Sequence, residues 1–92
     1  MGRASREKTA RLAEKLLQIR DALGLSQNGM LERLGIAEQS YRHYISEFER
    51  GVREPSLPIL LKYAKAAGVC VDALIDDDLD LPKKLPARPK HR

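Results

Sequence analysis

The sequence predicts an all-α domain of five helices followed by a basic C-terminal tail. Apolar residues recur at spacings of three and four, the period of an α-helix that buries one face. Glycines follow several of these stretches at positions where a helix can end, and no stretch alternates apolar and polar residues as a half-buried strand does. A chain of 92 residues has room for one modest core.

The first two helices have clear sequence boundaries. The first is predicted from about Thr9 to Leu23, with Gly24 as its C-terminal stop. Ser26 is a good N-cap for a second, short helix that ends before Gly35. The apolar stripe of the first helix consists of Leu12, Leu16, Ile19 and Leu23, and that of the second of Met30, Leu31 and Leu34.

The C-terminal end of the third helix is clear from the sequence, whereas two different start positions fit it. Arg50 and Gly51 are typical of a last turn and its left-handed cap. Either the preceding turn is long and Ser40 caps the helix, or the helix begins near Glu38 and gains about one turn, ~5.4 Å, at its N-terminus. Ala37 is a poor cap, which favours Ser40.

Two further helices complete the predicted domain. Ser56 caps the fourth, which accepts Pro58 in its first turn and ends at Gly68. Cys70 is interpreted as a small buried hydrophobe, and a single cysteine, which cannot form an internal disulfide, fits a reducing compartment. The stripe of the fourth helix consists of Leu57, Leu60, Leu61, Ala64 and Ala67, and the fifth helix carries Val71, Leu74 and Ile75.

The charges of the C-terminal part lie in blocks. Residues 72–80 hold five aspartates and no base, and residues 82–92 hold three prolines and five Lys or Arg. The second block cannot bury enough apolar surface to order itself, so the expected division is a domain at 1–81 and a flexible tail at 82–92. We expect the acidic run to be exposed and to attract the tail, although a tail that grips DNA phosphates remains an alternative.

Composition narrows the function classes. The net charge of +4 and pI of about 9.5 favour a polyanionic partner. Without a leader or a spanning run, the expectation is a soluble, cytoplasmic protein with no membrane role. The two histidines, one cysteine and scattered serines suggest no nucleophile, phosphate loop or zinc set, so we expect neither an enzyme nor a cofactor or metal.

The second and third helices, joined around Gly35, have the form of a helix-turn-helix, whose second helix enters the DNA major groove. Many all-α domains also contain two helices joined by a glycine turn, so the spacing alone leaves plain core packing as an alternative. On a helical wheel with Ile45 and Phe48 facing the core, the third helix has outward and flanking candidates for DNA contact. These are Arg42, His43, Tyr44, Ser46, Glu47 and Arg50. Arg42 and His43 suit guanine or phosphate, and Glu47 suits cytosine N4. For His43 and Glu47, the alternative is an ordinary solvent-exposed helix face. For Tyr41 and Tyr44, the alternative to base stacking is partial packing in the core.

Five segments resemble the XRE family of phage-repressor-like regulators. They are GLSQ at 24–27, ERLGI at 32–36, IS at 45–46, FERG at 48–51 and REPSL at 53–57. The resemblance implies a five-helix, repressor-like domain that binds double-stranded operator DNA as a homodimer and regulates transcription. It also leaves open a protein-interaction module, such as an antitoxin that binds a toxin, or an adaptor. Apolar residues late in the chain are expected to be exposed and would serve a dimer or such a partner, namely Val69, Val71, Leu79 and Leu81.

The resemblance also implies roles for single residues. The first residues of the second and third helices would touch DNA, namely Ser26, Gln27, Gln39 and Ser40. Arg53 would contact phosphate after the third helix, and Glu49 would form a buried or half-buried ion pair with Arg20. Plain solvent exposure is the alternative for Gln27 and Arg53. The sequence departs from the family at Leu31, where a small residue is usual, and in the longer gap from Gly35 to Ile45.

Overall fold

A computed structural model describes residues 10–36 and 41–85, apart from the side chain of Arg42. Within these ranges the chain is all-helical and contains no strand, which confirms the predicted fold class. The helices are α1 (Leu12–Leu23), α2 (Gln27–Arg33), α3 (Arg42–Glu49), α4 (Leu57–Ala67) and α5 (Val71–Ile75). The predictions that concern Thr9, Gln39, Ser40 and the contacts of Arg42 lie outside the described residues.

The predicted caps of three helices are confirmed. The Ser26 hydroxyl accepts a hydrogen bond from the Gly29 N–H at 2.9 Å, and the Ser56 hydroxyl accepts one from the Ile59 N–H at 3.4 Å. Each bond satisfies a backbone donor that the first turn of a helix leaves free. Gly51, with φ at +75°, follows the C-cap of α3 in a conformation that side chains with a Cβ rarely adopt.

The start of α3 differs from both predicted alternatives. The helix begins at Arg42, and Tyr41 occupies the N-cap position without a side-chain cap hydrogen bond. The helix thus starts later than the predicted start near Glu38, and Tyr41 stands at the N-cap position that was predicted for Ser40; Glu38 and Ser40 themselves lie outside the described residues. Since α3 has only eight residues, the long gap between Gly35 and Ile45 does not produce a longer recognition helix.

The core is built from the apolar faces of all five helices. Leu31, which replaces the small residue usual in the family, is buried with 5% of its surface exposed and belongs to this core. The buried apolar residues are Leu12, Leu16, Ile19, Met30, Leu31, Leu34, Ile45, Phe48, Leu60, Tyr63, Ala64, Ala67 and Leu74. This core fixes α3 against α1 and α2 and leaves the opposite face of α3 outside.

Several burial predictions for α4 and α5 are wrong. Leu57 and Leu61 are 75% and 46% exposed, because the buried stripe of α4 passes instead through Tyr63. Ile75 is 38% exposed at the last position of α5. Cys70 is exposed rather than buried, since it occupies the N-cap position of α5, outside the face that carries the buried Leu74.

The acidic run packs against the start of α1. The Asp77 carboxylate accepts hydrogen bonds from the backbone N–H groups of Ala10 and Arg11, at 2.8 and 3.1 Å. These bonds, and the positive end of the helix dipole, favour a carboxylate at this position. The Arg11 guanidinium donates to Asp80 at 2.6 Å. Exposure was therefore predicted correctly for Asp80 but wrongly for Asp77, which is half-buried.

Lys15 anchors the same segment from inside the protein. Its side chain is fully buried, and its Nζ donates to the backbone carbonyls of Ala73, Asp76 and Leu79 at 2.8, 2.9 and 2.7 Å. All three ammonium donors thus have acceptors, as a buried charge requires. The end of α5 and the residues after it are tied to α1 by this lysine.

The late apolar residues are less exposed than predicted. Val69, Val71 and Leu81 are half-buried against the core, and only Leu79 of the four is exposed, at 42%. Leu85 also packs against the core, so packed chain continues past Leu81. Residues 86–92 lie outside the description, and the flexibility expected of the tail stays a prediction.

Candidate nucleic-acid interface

The outward face of α3 carries the side chains that the sequence assigns to DNA. Ile45 and Phe48 are 0% and 5% exposed, which sets the inner face of the helix. The opposite face holds His43, Ser46, Glu47 and Arg50, spaced at three- and four-residue intervals along one stripe. His43 and Arg50 are exposed, and Ser46 and Glu47 are half-buried. The predicted orientation of α3 is confirmed.

Two residues of this stripe are linked to each other. The Arg50 Nε donates to the Ser46 hydroxyl at 3.2 Å, one helical turn away. The bond holds the start of the long Arg50 side chain along the helix, while its terminal guanidinium nitrogens extend beyond that bond. Guanidinium groups bind guanine edges and phosphates through paired donors, so Arg50 has the chemistry that major-groove contact requires.

One flank of the stripe is fixed by the predicted ion pair between α1 and α3. The Arg20 Nε donates to Glu49 Oε2 at 2.6 Å, and its Nη2 donates to Oε1 at 3.0 Å. The two side chains are 18% and 6% exposed. The hydrogen bonding of Arg20 to the Glu49 carboxylate raises the pKa of Arg20, and a third donor of Arg20 reaches the Leu25 carbonyl at 3.0 Å. The pair is confirmed and is bidentate.

Gln27 joins this flank. Its Nε2 donates to Glu49 Oε1 at 3.4 Å, so the first residue of α2 lies beside α3. The resemblance implies a contact between Gln27 and the DNA backbone but gives no role in holding α3. The sequence contains no signal for this bond, since Gln27 and Glu49 are 22 residues apart. Ser26, predicted to touch DNA, has its hydroxyl engaged in capping α2.

The other flank is a cluster of Glu47, Arg53 and Tyr44. The Arg53 Nε donates to Glu47 Oε1 at 2.6 Å, and the Arg53 guanidinium lies 4.2 Å from the centre of the Tyr44 ring. The pKa of Glu47 is lowered, first by this hydrogen bond and then by the charges of Arg53, His43 and Arg50. The sequence assigns Glu47 and Arg53 to separate DNA contacts, and the structure brings them together.

Tyr44 is packed on both sides, which agrees with partial core packing. Its ring centre lies 5.0 Å from that of Tyr41, 4.5 Å from that of His43 and 6.3 Å from that of Phe48. Tyr44 is half-buried and Tyr41 is 38% exposed. Tyr44 therefore forms a platform under Arg53 instead of a free stacking surface.

A family model described as helix-turn-helix (HTH_3) matches residues 16–72, which include most of α1 and all of α2, α3 and α4. The chain belongs to this helix-turn-helix family, of the XRE type, a class of DNA-binding regulators. A chain of the solved complex of the SinR protein with the SinI protein is similar in fold and sequence, with a TM-score of 0.62 and 28% identity.

That match covers 73% of this chain and 62% of the other, so this chain spans less than two thirds of that relative. The curated proteins give no match. Within the described ranges, no helix has the length and apolar character needed to cross a membrane.

Proposed function

We propose that the protein is a sequence-specific, duplex-DNA-binding transcriptional regulator that acts as a homodimer and represses its target. The outward stripe of α3 carries this proposal: it presents hydrogen-bonding side chains that the core does not use. The major groove of B-DNA, about 12 Å wide, admits one α-helix and displays a distinct donor and acceptor pattern for each base pair.

The two flanks support this function because they hold α3 in place before DNA arrives. Glu49 is tied to α1 by Arg20 and to α2 by Gln27, and Glu47 is tied to the loop after α3 by Arg53. A recognition helix with fixed neighbours loses little further conformational freedom on binding. In this proposal His43, Ser46 and Arg50 face base edges, and Gln27 lies near the sugar-phosphate backbone.

The proposed dimer follows from the reach of one helix. Eight residues of α-helix extend about 12 Å, and base pairs are stacked about 3.4 Å apart, so one α3 reads three or four base pairs. A second copy doubles the site, and half-sites about 34 Å apart place both α3 helices on one side of the duplex. A dimer seated there would repress by occupying the promoter.

The second candidate function is binding of a protein partner, as an antitoxin or an adaptor does. The similar chain comes from a complex of two different proteins, and α4 exposes Leu57 and Leu61 one turn apart on its surface. Neighbouring exposed apolar side chains are a common feature of protein interfaces. This function is compatible with DNA binding, because α4 and the outward stripe of α3 are different surfaces.

The test is selection of bound sequences from a pool of random duplex DNA at low and at physiological salt. We expect one enriched palindrome, with half-sites about one helical turn apart. A variant with His43→Ala and Arg50→Ala should lose the enrichment, while Lys65→Ala, an exposed charge on α4, should keep it. Absence of any enriched sequence at low salt would reject DNA reading and leave the protein-partner function.

A further inference from the structure

Glu47 presents an electrostatic problem for a surface that faces DNA. It lies on the outward stripe of α3, between His43 and Arg50, and its side chain is 23% exposed. A carboxylate close to phosphates is repelled unless a cation neutralises it or a specific donor meets it.

Arg53 neutralises Glu47 and also fixes its direction. Besides the 2.6 Å bond from Arg53 Nε to Glu47 Oε1, the Arg53 guanidinium rests on the Tyr44 ring. The backbone assists, because the N–H groups of Val52 and Arg53 both donate to the Glu47 carbonyl, at 3.0 and 3.3 Å. Side chain and main chain thus hold residue 53 beside residue 47.

Among the residues that the structure describes, one carboxylate oxygen of Glu47, Oε2, is left to accept a hydrogen bond from a ligand. The bond from Arg53 uses Oε1, and no other side chain that the structure describes donates to this carboxylate. Arg53 lowers the pKa of Glu47, so the group is ionised at neutral pH and only accepts hydrogen bonds. An acceptor in the major groove selects a base amino group, and cytosine N4 is the usual partner of Glu. Adenine suits it less, because the N7 acceptor beside its amino group repels a carboxylate.

We infer that Arg53 is a positioning residue that directs Glu47 to accept a hydrogen bond from cytosine N4, and that Arg53 is not primarily a phosphate contact. This inference rests on the proposed function. It departs from the role implied by the family resemblance, in which the residue after the third helix binds phosphate. It also explains how an acidic side chain is accommodated on the DNA-facing stripe.

The experiment measures binding of the selected duplex and of duplexes changed at one base pair at a time. The wild-type protein should prefer cytosine about tenfold at one position of each half-site. Glu47→Ala should reduce that preference to about twofold or less and leave the other positions unchanged. Glu47→Gln should move the preference towards adenine, because an amide pairs with adenine N6 and N7.

Arg53→Lys separates positioning from phosphate contact. Lysine keeps the positive charge but lacks the planar fork that binds the carboxylate and stacks on Tyr44. We expect it to lose the same cytosine preference as Glu47→Ala, with a salt dependence close to that of the wild type. Arg53→Ala should also lose that preference. Thermal melts of all variants confirm that they are folded at the assay temperature.

Two results would overturn the inference. If Arg53→Ala weakens all duplexes equally and lowers the salt slope by about one, with the cytosine preference intact, Arg53 is a phosphate contact. If the wild type selects an operator but Glu47→Ala changes no base preference, Glu47 reads no base. Either result leaves the proposed function standing. A wild type that selects no sequence overturns both the proposed function and this inference.

Discussion

Replacing Glu49 with alanine removes one partner of the ion pair that joins α1 to α3. The change deletes two charge-assisted hydrogen bonds from Arg20, at 2.6 and 3.0 Å, and the bond from Gln27. Loss of one partner of a deeply buried pair costs about 3 to 5 kcal/mol. Arg20 is 18% exposed and keeps its bond to the Leu25 carbonyl, so we expect the lower end, about 3 kcal/mol.

For a domain of this size, 1 kcal/mol corresponds to about 4 to 8 °C in melting temperature, so Glu49→Ala should lower it by about 12 °C or more. Thermal melts followed by circular dichroism and urea titrations both measure the effect. Glu54→Ala is the matched control, because Glu54 is exposed and the chemical change is the same. It should shift the melt by no more than about 3 °C.

A double variant tests whether the cost arises from the uncompensated charge. Arg20→Met with Glu49→Leu replaces the pair by apolar side chains and should be less destabilised than Glu49→Ala alone. If Glu49→Ala melts within about 2 °C of the wild type, the pair does not stabilise the fold and this reasoning is refuted.

Three further variants test other buried or capping groups. Lys15→Met deprives three backbone carbonyls of their donor and should cost about 2 kcal/mol or more in a urea titration; an unchanged midpoint contradicts this. Tyr63→Phe should raise the free energy of unfolding by about 1 kcal/mol, because the buried hydroxyl has no partner among the described residues; the exposed Tyr41→Phe should be neutral. Two backbone N–H bonds lower the pKa of Asp77, so its stabilisation is complete above the ordinary pKa of 3.8 and is lost as pH falls through the lower, folded-state value. Asp77→Asn, unlike Asp78→Asn, should flatten the acid dependence of the melt below about pH 4, and equal curves would contradict the capping role.

The helix ends are predictable from the sequence because the interactions that form them are local. Ser26 and Ser56 bond to N–H groups three residues later, and Gly24, Gly51 and Gly68 have the left-handed conformation that ends a helix. The outward stripe of α3 is also predictable, since the helical period and two apolar residues determine its orientation. The start of α3 is not predictable from the sequence, because its N-cap residue, Tyr41, makes no side-chain hydrogen bond to the first turn.

The contacts of charged residues are less predictable, because they join distant parts of the chain. Lys15 and its acceptors are 58 to 64 residues apart, and Asp77 and the N–H groups it accepts from are 66 or 67 apart. One signal was present: Lys15 lies on the buried stripe of α1, three residues after Leu12 and four before Ile19. A basic residue on an apolar stripe indicates a buried partner. The charge blocks at 72–80 and 82–92 predicted only an attraction between the acidic run and the basic tail.

The contact between Glu47 and Arg53 was also not predictable from the sequence, although the two residues are close along the chain. The residues are six positions apart, and their contact depends on the chain reversal at Gly51. The helical wheel places Glu47 on the outward face but does not show which cation meets it. The sequence names both residues as candidates for DNA contact, which stays a prediction, while their pairing is seen only in the structure.

The claim that the outward face of α3 binds DNA is tested most directly by amide chemical shifts during titration with the selected duplex. We expect the largest changes at His43, Ser46 and Arg50 and at the start of α2 around Gln27, with little change around Lys65 on α4. Changes concentrated on α4 and α5, with α3 unaffected, would contradict this account.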